Sequence, residues 1–190
     1  MAEKRSFLLR IALLIEGGAF LLSLLLSWLL SVPLLPLTRN PLGDILVGTL
    51  WAMIPFAFFI FTLSGMAGKI PGLRSIRTLL RREVYSLFSG SRLPDLVIIS
   101  LIAGFGEEML FRGVIQGKLG IVAAALLFGL AHSITPAYVV GAFCIGLYIG
   151  YLREAYDSLL VAIQLHFVYD LCALAWLKYA VRPGESRELS

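Results

Sequence analysis

The sequence has little charge for its length, and its apolar runs are long. Only 15% of its 190 residues are charged and 59% are hydrophobic, whereas soluble domains average about 25% charged and about 45–50% apolar residues. This composition excludes an ordinary soluble domain and indicates a polytopic membrane protein. The sequence also lacks internal repeats and low-complexity segments, which excludes a repeat architecture. We therefore predict a single integral-membrane domain over residues 1–190.

Cysteine and histidine are equally scarce, with two of each. Cys144 and Cys172 lie in apolar runs without CxxC spacing, so we interpret them as reduced hydrophobic side chains. The net charge is +4, but the basic residues collect at the ends of hydrophobic runs, where membrane topology explains them better than nucleic acid does. We therefore predict the lipid bilayer as a partner and no nucleic acid.

The hydrophobic segments predict an all-α transmembrane helix bundle with about six membrane segments. They are 11–35, 45–65, 93–117, 121–132, 136–152 and 158–177, two of them short or interrupted. The first is too long for a signal peptide and lacks a cleavage site, so we expect a retained span. Glu16 lies about one turn into this span, where a carboxylate reaches the interface, and we expect it to be solvated and without a role.

A basic linker, residues 66–92, separates the second and third segments. Its apolar residues recur at helical spacing between arginines, which predicts an amphipathic helix on an anionic leaflet. An ordinary positively charged cytoplasmic loop explains the pattern equally well. With the N-terminus inside, twelve of the 16 lysines and arginines fall on the cytoplasmic side. Both termini are therefore predicted to be cytoplasmic.

Ionisable residues inside the hydrophobic segments define the candidate site. The candidates are Glu107, Glu108, Arg112, His132, His166 and Asp170. At 1.5 Å per residue, Glu107 and His132 lie about 15 and 18 Å from the turn between them, and His166 and Asp170 about 12 and 18 Å from the next turn on that side. Buried polar pairs that only hold helices together are the simpler explanation. Six costly groups at one depth instead favour an active site.

These residues occur in three motifs that resemble those of a known family. The motifs are Glu107-Glu108-x-x-x-Arg112, Phe128-x-x-x-His132 and His166-x-x-x-Asp170. In this order they resemble the CAAX-protease and bacteriocin-processing (CPBP, or Abi) intramembrane endopeptidases. The run Glu-Glu-Met-Leu-Phe-Arg-Gly-Val-Ile-Gln is typical of the bacterial and archaeal branch, which implies a prokaryotic plasma membrane. The resemblance covers about residues 93–172, within a motif-bearing core of about 93–177.

The resemblance implies a glutamate-dependent endopeptidase that cleaves a membrane-associated or lipidated protein or peptide. Glu107 and His132 are then expected to activate a water molecule. Arg112 is expected to keep Glu108 ionised and oriented, which leaves Glu107 free for the water. His166 is expected to donate a hydrogen bond to the developing oxyanion.

Asp170 departs from the family pattern, in which asparagine is frequent at this position. Asparagine donates a hydrogen bond, whereas an ionised aspartate only accepts one. Because His166 lies four residues earlier on the same helix face, we expect Asp170 to orient His166 rather than to bind the oxyanion.

Three alternatives stay open at this point. The two histidines and the carboxylates can complete a three-ligand zinc site, although the motif HExxH is absent and the resemblance implies no cofactor. A non-catalytic membrane scaffold or immunity protein is the second alternative. A proton-coupled transporter is the third, and the lack of an inverted repeat disfavours it. The sequence does not decide whether the substrate is prenylated.

Overall fold

The computed structural model describes residues 2–34 and 37–181, with side chains from residue 5 onward, and this part of the chain forms helices and no strands. The α-helices are α1 (Ala2–Leu30), α2 (Pro41–Leu63), α3 (Pro71–Leu79), α4 (Tyr85–Phe88), α5 (Leu93–Glu108), α6 (Gln116–Leu119), α7 (Ile121–Ala131), α8 (Pro136–Ala155) and α9 (Leu159–Ala180). π-helical turns join α3 to α4 over Leu80–Val84 and α5 to α6 over Met109–Ile115. The predicted all-α bundle is confirmed.

Four helices are long and apolar enough to cross a bilayer: α1, α2, α8 and α9. The continuous helical path through α5, its π turn and α6 is about 40 Å long, and α7 is about 16 Å long, about half of a hydrocarbon core. The sequence predicted about six membrane segments, two of them short or interrupted, and these two helical segments are not among the four long apolar helices. The protein is therefore a helical membrane protein. The last nine residues, which include the predicted cytoplasmic C-terminus, lie outside the described part.

The helices begin where the sequence supplies a cap. Thr135 precedes α8 and accepts a hydrogen bond from the backbone N–H of Tyr138, and Pro136 occupies the first helical position. Ser158 caps α9 in the same way through the N–H of Val161. Side-chain oxygens at this position satisfy N–H groups that a helix start leaves unpaired, and proline fits there because it has no N–H.

Helix α5 lies between α1 and α9, and two glycines let these neighbours approach closely. A Cβ atom on Gly104 would lie 3.0 Å from the backbone nitrogen of Phe167 in α9. A Cβ atom on Gly106 would lie 2.5 Å from the carbonyl oxygen of Glu16 in α1. Real Cβ atoms essentially never lie as close as 2.5 Å to a backbone atom, and 3.0 Å is tighter than most, so a larger residue at Gly106 would force the helices apart and one at Gly104 would strain the contact. These glycines place α1 and α9 directly beside the end of α5 that carries the candidate carboxylates.

Hydrogen bonds join the α1–α2 loop to the start of α9 at one end of the bundle. The carbonyl oxygen of Leu37 accepts the N–H groups of Leu159 and Leu160 at 3.0 and 3.2 Å. The Ser158 hydroxyl donates to Asp44 at 2.6 Å, and Thr38 donates to the same carboxylate. This end therefore contains the turns before α2 and before α9, and its polar groups satisfy each other.

The basic linker is largely helical, the first of the two alternatives that the sequence left open, and it packs against the opposite end of the bundle. Leu80 is buried and Ile76 packs against the same apolar cluster. Arg77 and Arg81 both donate to the carbonyl oxygen of Leu63, the last residue of α2, at 3.2 Å. Two of the linker arginines therefore satisfy a helix C-terminus. Contact of the linker with an anionic leaflet stays a prediction.

Candidate active site

The six candidate residues come together from three parts of the chain. Glu107 and Glu108 end α5, and Arg112 lies in the π-helical turn that follows. His132 comes directly after α7, and α9 carries His166 and Asp170. Widened turns of this kind occur frequently at functional sites.

Glu108 and Arg112 form a fully buried ion pair. Both side chains are 0% exposed, and Arg112 Nη1 lies 2.9 Å from Glu108 Oε1. Arg112 Nη2 donates to the carbonyl oxygen of Gly146 in α8 at 3.3 Å, and the guanidinium lies 4.3 Å from the ring centre of Phe128. The arginine therefore links the π-helical turn to α7 and α8, and it fixes the Glu108 carboxylate.

Glu108 also holds His166. Its Oε1 lies 2.6 Å from His166 Nδ1, and since a carboxylate only accepts, Nδ1 carries the hydrogen. The other ring nitrogen, Nε2, lies 3.4 Å from Asp170 Oδ2 and 4.0 Å from Glu107 Oε2. The sequence assigned the orienting role to Asp170. In the structure Glu108 holds the ring from one side, and Asp170 contacts the nitrogen that faces Glu107.

His132 presents a basic nitrogen to Glu107. Its Nδ1 lies 2.8 Å from the carbonyl oxygen of Phe128, and because that oxygen only accepts, Nδ1 is the donor. In the neutral ring this leaves Nε2 as an acceptor, 3.7 Å from Glu107 Oε1. The Phe128 ring lies 4.5 Å from the imidazole, centre to centre. Phe128, whose ring contacts the Arg112 guanidinium, therefore also positions His132.

The two carboxylate oxygens of Glu107 face the two imidazoles across gaps of 3.7 and 4.0 Å, too long for direct hydrogen bonds. In the described part of the chain, Glu107 Oε2 is buried without a hydrogen-bond partner. A water molecule can donate to the carboxylate and to His132 Nε2 at the same time, because both are acceptors. This arrangement can polarise a water between two bases.

Glu16 is an ionisable residue at the site that the sequence analysis placed at the membrane interface. The structure buries its Oε2 atom, which does not fit the expected solvated carboxylate, and α1 begins at Ala2 rather than at Ile11. Glu16 therefore lies near the middle of the helix, about 21 Å from its start at 1.5 Å per residue. Its backbone packs against Gly106, directly before Glu107.

Metal ligation was the alternative that the histidines left open. Among the described residues, no three His, Cys, Asp or Glu side chains are grouped so that they could hold a metal ion. A zinc site needs at least three such ligands at about 2.0–2.3 Å. The present side-chain positions do not supply that ligand set, and metal dependence is left to experiment.

Comparison with known proteins bears on the segment that contains the six candidates. Residues 89–172 match the family model described as type II CAAX prenyl endopeptidase Rce1-like, which confirms the resemblance predicted from the motifs. Over 88 residues the chain is 32% identical to a Bacillus subtilis (strain 168) protein named uncharacterized protein YpbD. This alignment covers 44% of the chain and 46% of that protein, so the chain matches less than half of its relative's length. No solved structure matches the chain.

Proposed function

We propose, from the match of residues 89–172 to the CAAX-protease family and from the site geometry, that the protein is an intramembrane endopeptidase. It hydrolyses a peptide bond of a membrane-associated or lipidated protein. The observation that carries this proposal is the 3.7 Å gap between Glu107 Oε1 and His132 Nε2. Both atoms are hydrogen-bond acceptors, and one water molecule can donate to both. A non-catalytic scaffold has no need for two unpaired bases at this depth.

In the proposed reaction, a water molecule donates to Glu107 and to His132 Nε2. Glu107 takes a proton while the water oxygen, also held by His132, attacks the carbonyl carbon of the substrate. In this proposal His166 is the doubly protonated imidazolium, because Nδ1 already donates to Glu108, and its Nε2–H, on the other side of Glu107, donates to the oxyanion. The C–N bond then breaks, the departing nitrogen receives the proton from the base, and the products are a carboxylic acid and an amine. The proposed role of Glu108 is to position Arg112 and His166, which both contact its Oε1.

Asp170 is proposed to contact only the Nε2 atom of His166, while Glu108 holds the ring through Nδ1. Asp170→Asn is expected to keep activity within about threefold, because the amide either accepts from His166 or donates to the oxyanion. Asp170→Ala is expected to lose about tenfold, less than the loss of a full oxyanion donor, since Glu108 still holds the ring. Steady-state cleavage by the three proteins measures this order. An alanine variant as active as wild type would remove Asp170 from the site.

The function is tested by comparing membrane proteomes of cells that contain the wild-type protein or Glu107→Gln. We expect peptide termini that appear only with the wild type, and these map the cleavage site and show whether it is next to a lipidated residue. Cleavage of such a peptide by purified protein is expected to continue in a strong chelator. Identical proteomes would favour a scaffold or immunity protein, and chelator inhibition reversed by zinc would favour a metallopeptidase.

We also propose that the end of the bundle that carries the basic linker faces the cytoplasm, in a prokaryotic plasma membrane with both termini inside. The excess of lysine and arginine at this end supports the orientation. In a variant whose native cysteines are replaced by serine, Lys118→Cys is expected to react with an impermeant thiol reagent in intact cells, because Lys118 is exposed at the opposite end. Glu83→Cys, in the linker, should react only after permeabilisation. The reverse pattern would invert the topology.

A further inference from the structure

Hydrogen-bond acceptors for the substrate backbone are the missing part of the proposed site. This inference rests on the proposed function. A peptide segment has to be extended to be cleaved, and in a bilayer its exposed N–H groups find no water, each at a cost of several kcal/mol. Glu108 Oε2 also has no partner in the described structure, but Glu108 is fully buried and closed to a substrate. Glu107 faces the water position, and Asp170 lies against His166. An intramembrane peptidase therefore needs a further acceptor near these groups.

Glu16 of α1 has the geometry of such an acceptor. Its Oε2 atom is buried and has no hydrogen-bond partner in the described structure, although the residue as a whole is only half-buried. Phe20, one turn later on the same face of α1, packs against Phe105 with ring centres 5.4 Å apart. This face therefore meets α5 at the level of Phe105 and Gly106, next to Glu107.

The charge of Glu16 also belongs to the site. Glu16 lies close enough to the site for its charge to act on Glu107, His166 and Asp170, and no cation among the described residues forms an ion pair with it. A carboxylate in the middle of a membrane helix is expensive and by default marks a functional site. The segment that matches the peptidase family begins at residue 89, so α1 and Glu16 lie outside it.

We propose that Glu16 is a substrate-binding residue whose carboxylate accepts a hydrogen bond from a backbone N–H of the extended substrate. Helix α1 then forms one wall of the substrate channel, opposite α9. Glu107 and His132 act on the water and govern the chemical step. Glu16 acts on the bound peptide and governs its affinity.

Two substitutions at Glu16 separate binding from chemistry. The probe is a synthetic peptide that spans the cleavage site mapped in the proteome comparison. Glu16→Leu is expected to raise KM about tenfold, the effect of losing one hydrogen bond to a charged group, with kcat within about threefold. Glu16→Gln keeps an acceptor oxygen, and its KM is expected to stay within about threefold of wild type. Leu14→Ala, on the lipid-facing side of the same helix at 74% exposure, is the control and should change neither constant.

Binding is measured without turnover in the Glu107→Gln background, where Glu16→Leu should raise the dissociation constant of the peptide by the same tenfold factor.

Peptides methylated on one backbone nitrogen at a time give a second test. One of them should bind wild type and Glu16→Gln about tenfold more weakly, and methylation there should cost nothing further in Glu16→Leu. If the leucine variant does not fold, the wild type and Glu16→Gln still test the proposal. It is overturned if methylation of no single backbone nitrogen weakens peptide binding to these two proteins.

The outcomes distinguish this inference from the proposed function. If the wild type cleaves the peptide but Glu16→Leu binds it equally tightly, Glu16 does not bind substrate while the peptidase assignment stands. If Glu16→Leu loses kcat as severely as Glu107→Gln, Glu16 belongs to the chemical step and the binding role is wrong. If wild type and Glu107→Gln are equally inactive, the peptidase assignment itself fails.

Discussion

Replacing Glu107 with glutamine is expected to lower kcat for peptide cleavage about 10³-fold, in the range for loss of a general base. The amide has nearly the shape of the carboxylate but cannot take a proton from the water. Glu107 makes no direct hydrogen bond to His132 or His166, the two gaps being 3.7 and 4.0 Å, so folding should depend little on its charge. Kinetics and thermal unfolding of the purified variant in one detergent measure both effects.

The matched control is Glu83→Gln, the same chemical change at an exposed position of the basic linker. It should leave kcat and the melting temperature unchanged. A Glu107→Gln protein that retains a tenth or more of wild-type activity would show that Glu107 is not the base. If Glu107→Gln loses its folded structure together with its activity, the role of Glu107 is tested with Glu107→Asp, which keeps the carboxylate.

Replacing Arg112 with methionine is expected to cause the largest loss of stability, about 3–5 kcal/mol, because it leaves the Glu108 charge buried without its partner. The Glu108 carboxylate is fully buried, and Arg112 also bonds the Gly146 carbonyl and contacts Phe128. For a chain of this length the melting temperature should fall by about 6–20 °C. Activity should fall as well, since Glu108 orients His166.

The double variant Glu108→Gln, Arg112→Met is the control for this explanation. It removes both charges, so it should be more stable than Arg112→Met alone although it carries one more substitution. The glutamine oxygen can still accept from His166 Nδ1. A double variant less stable than the single one would show that Arg112 stabilises the protein by packing and not by pairing with Glu108.

Helical periodicity and hydrophobic length predicted most of the architecture. The four long apolar helices follow from apolar runs bounded by Pro, Gly and Ser, and Pro136 and Ser158 begin helices where such residues favour it. Depth counting from the turns also anticipated that Glu107, His132, His166 and Asp170 meet. Rise per residue is a constant of the α-helix, so this distance argument needs no knowledge of packing.

The contacts across helices could not be predicted in the same way. Glu108 and His166 are 58 residues apart, and which carboxylate holds the ring depends on how α5 and α9 rotate about their axes. The π-helical turn at Met109–Ile115 has no sequence signal that we recognise. The burial of Glu16 could not be predicted either, because the charged residues before Ile11 favour a span that begins there, whereas in the structure they continue the helix α1.

A double-mutant cycle on Glu107 and His132 tests the central claim, that both residues act on one water molecule. Residues that act as a unit lose most of their effect with the first substitution. Cleavage rates of Glu107→Gln, His132→Ala and the double variant are therefore measured on one peptide under single-turnover conditions. We predict that the double variant is about as slow as the slower single variant. A double variant slower by the product of the two single losses would show that the residues act independently, and it would contradict the shared-water mechanism.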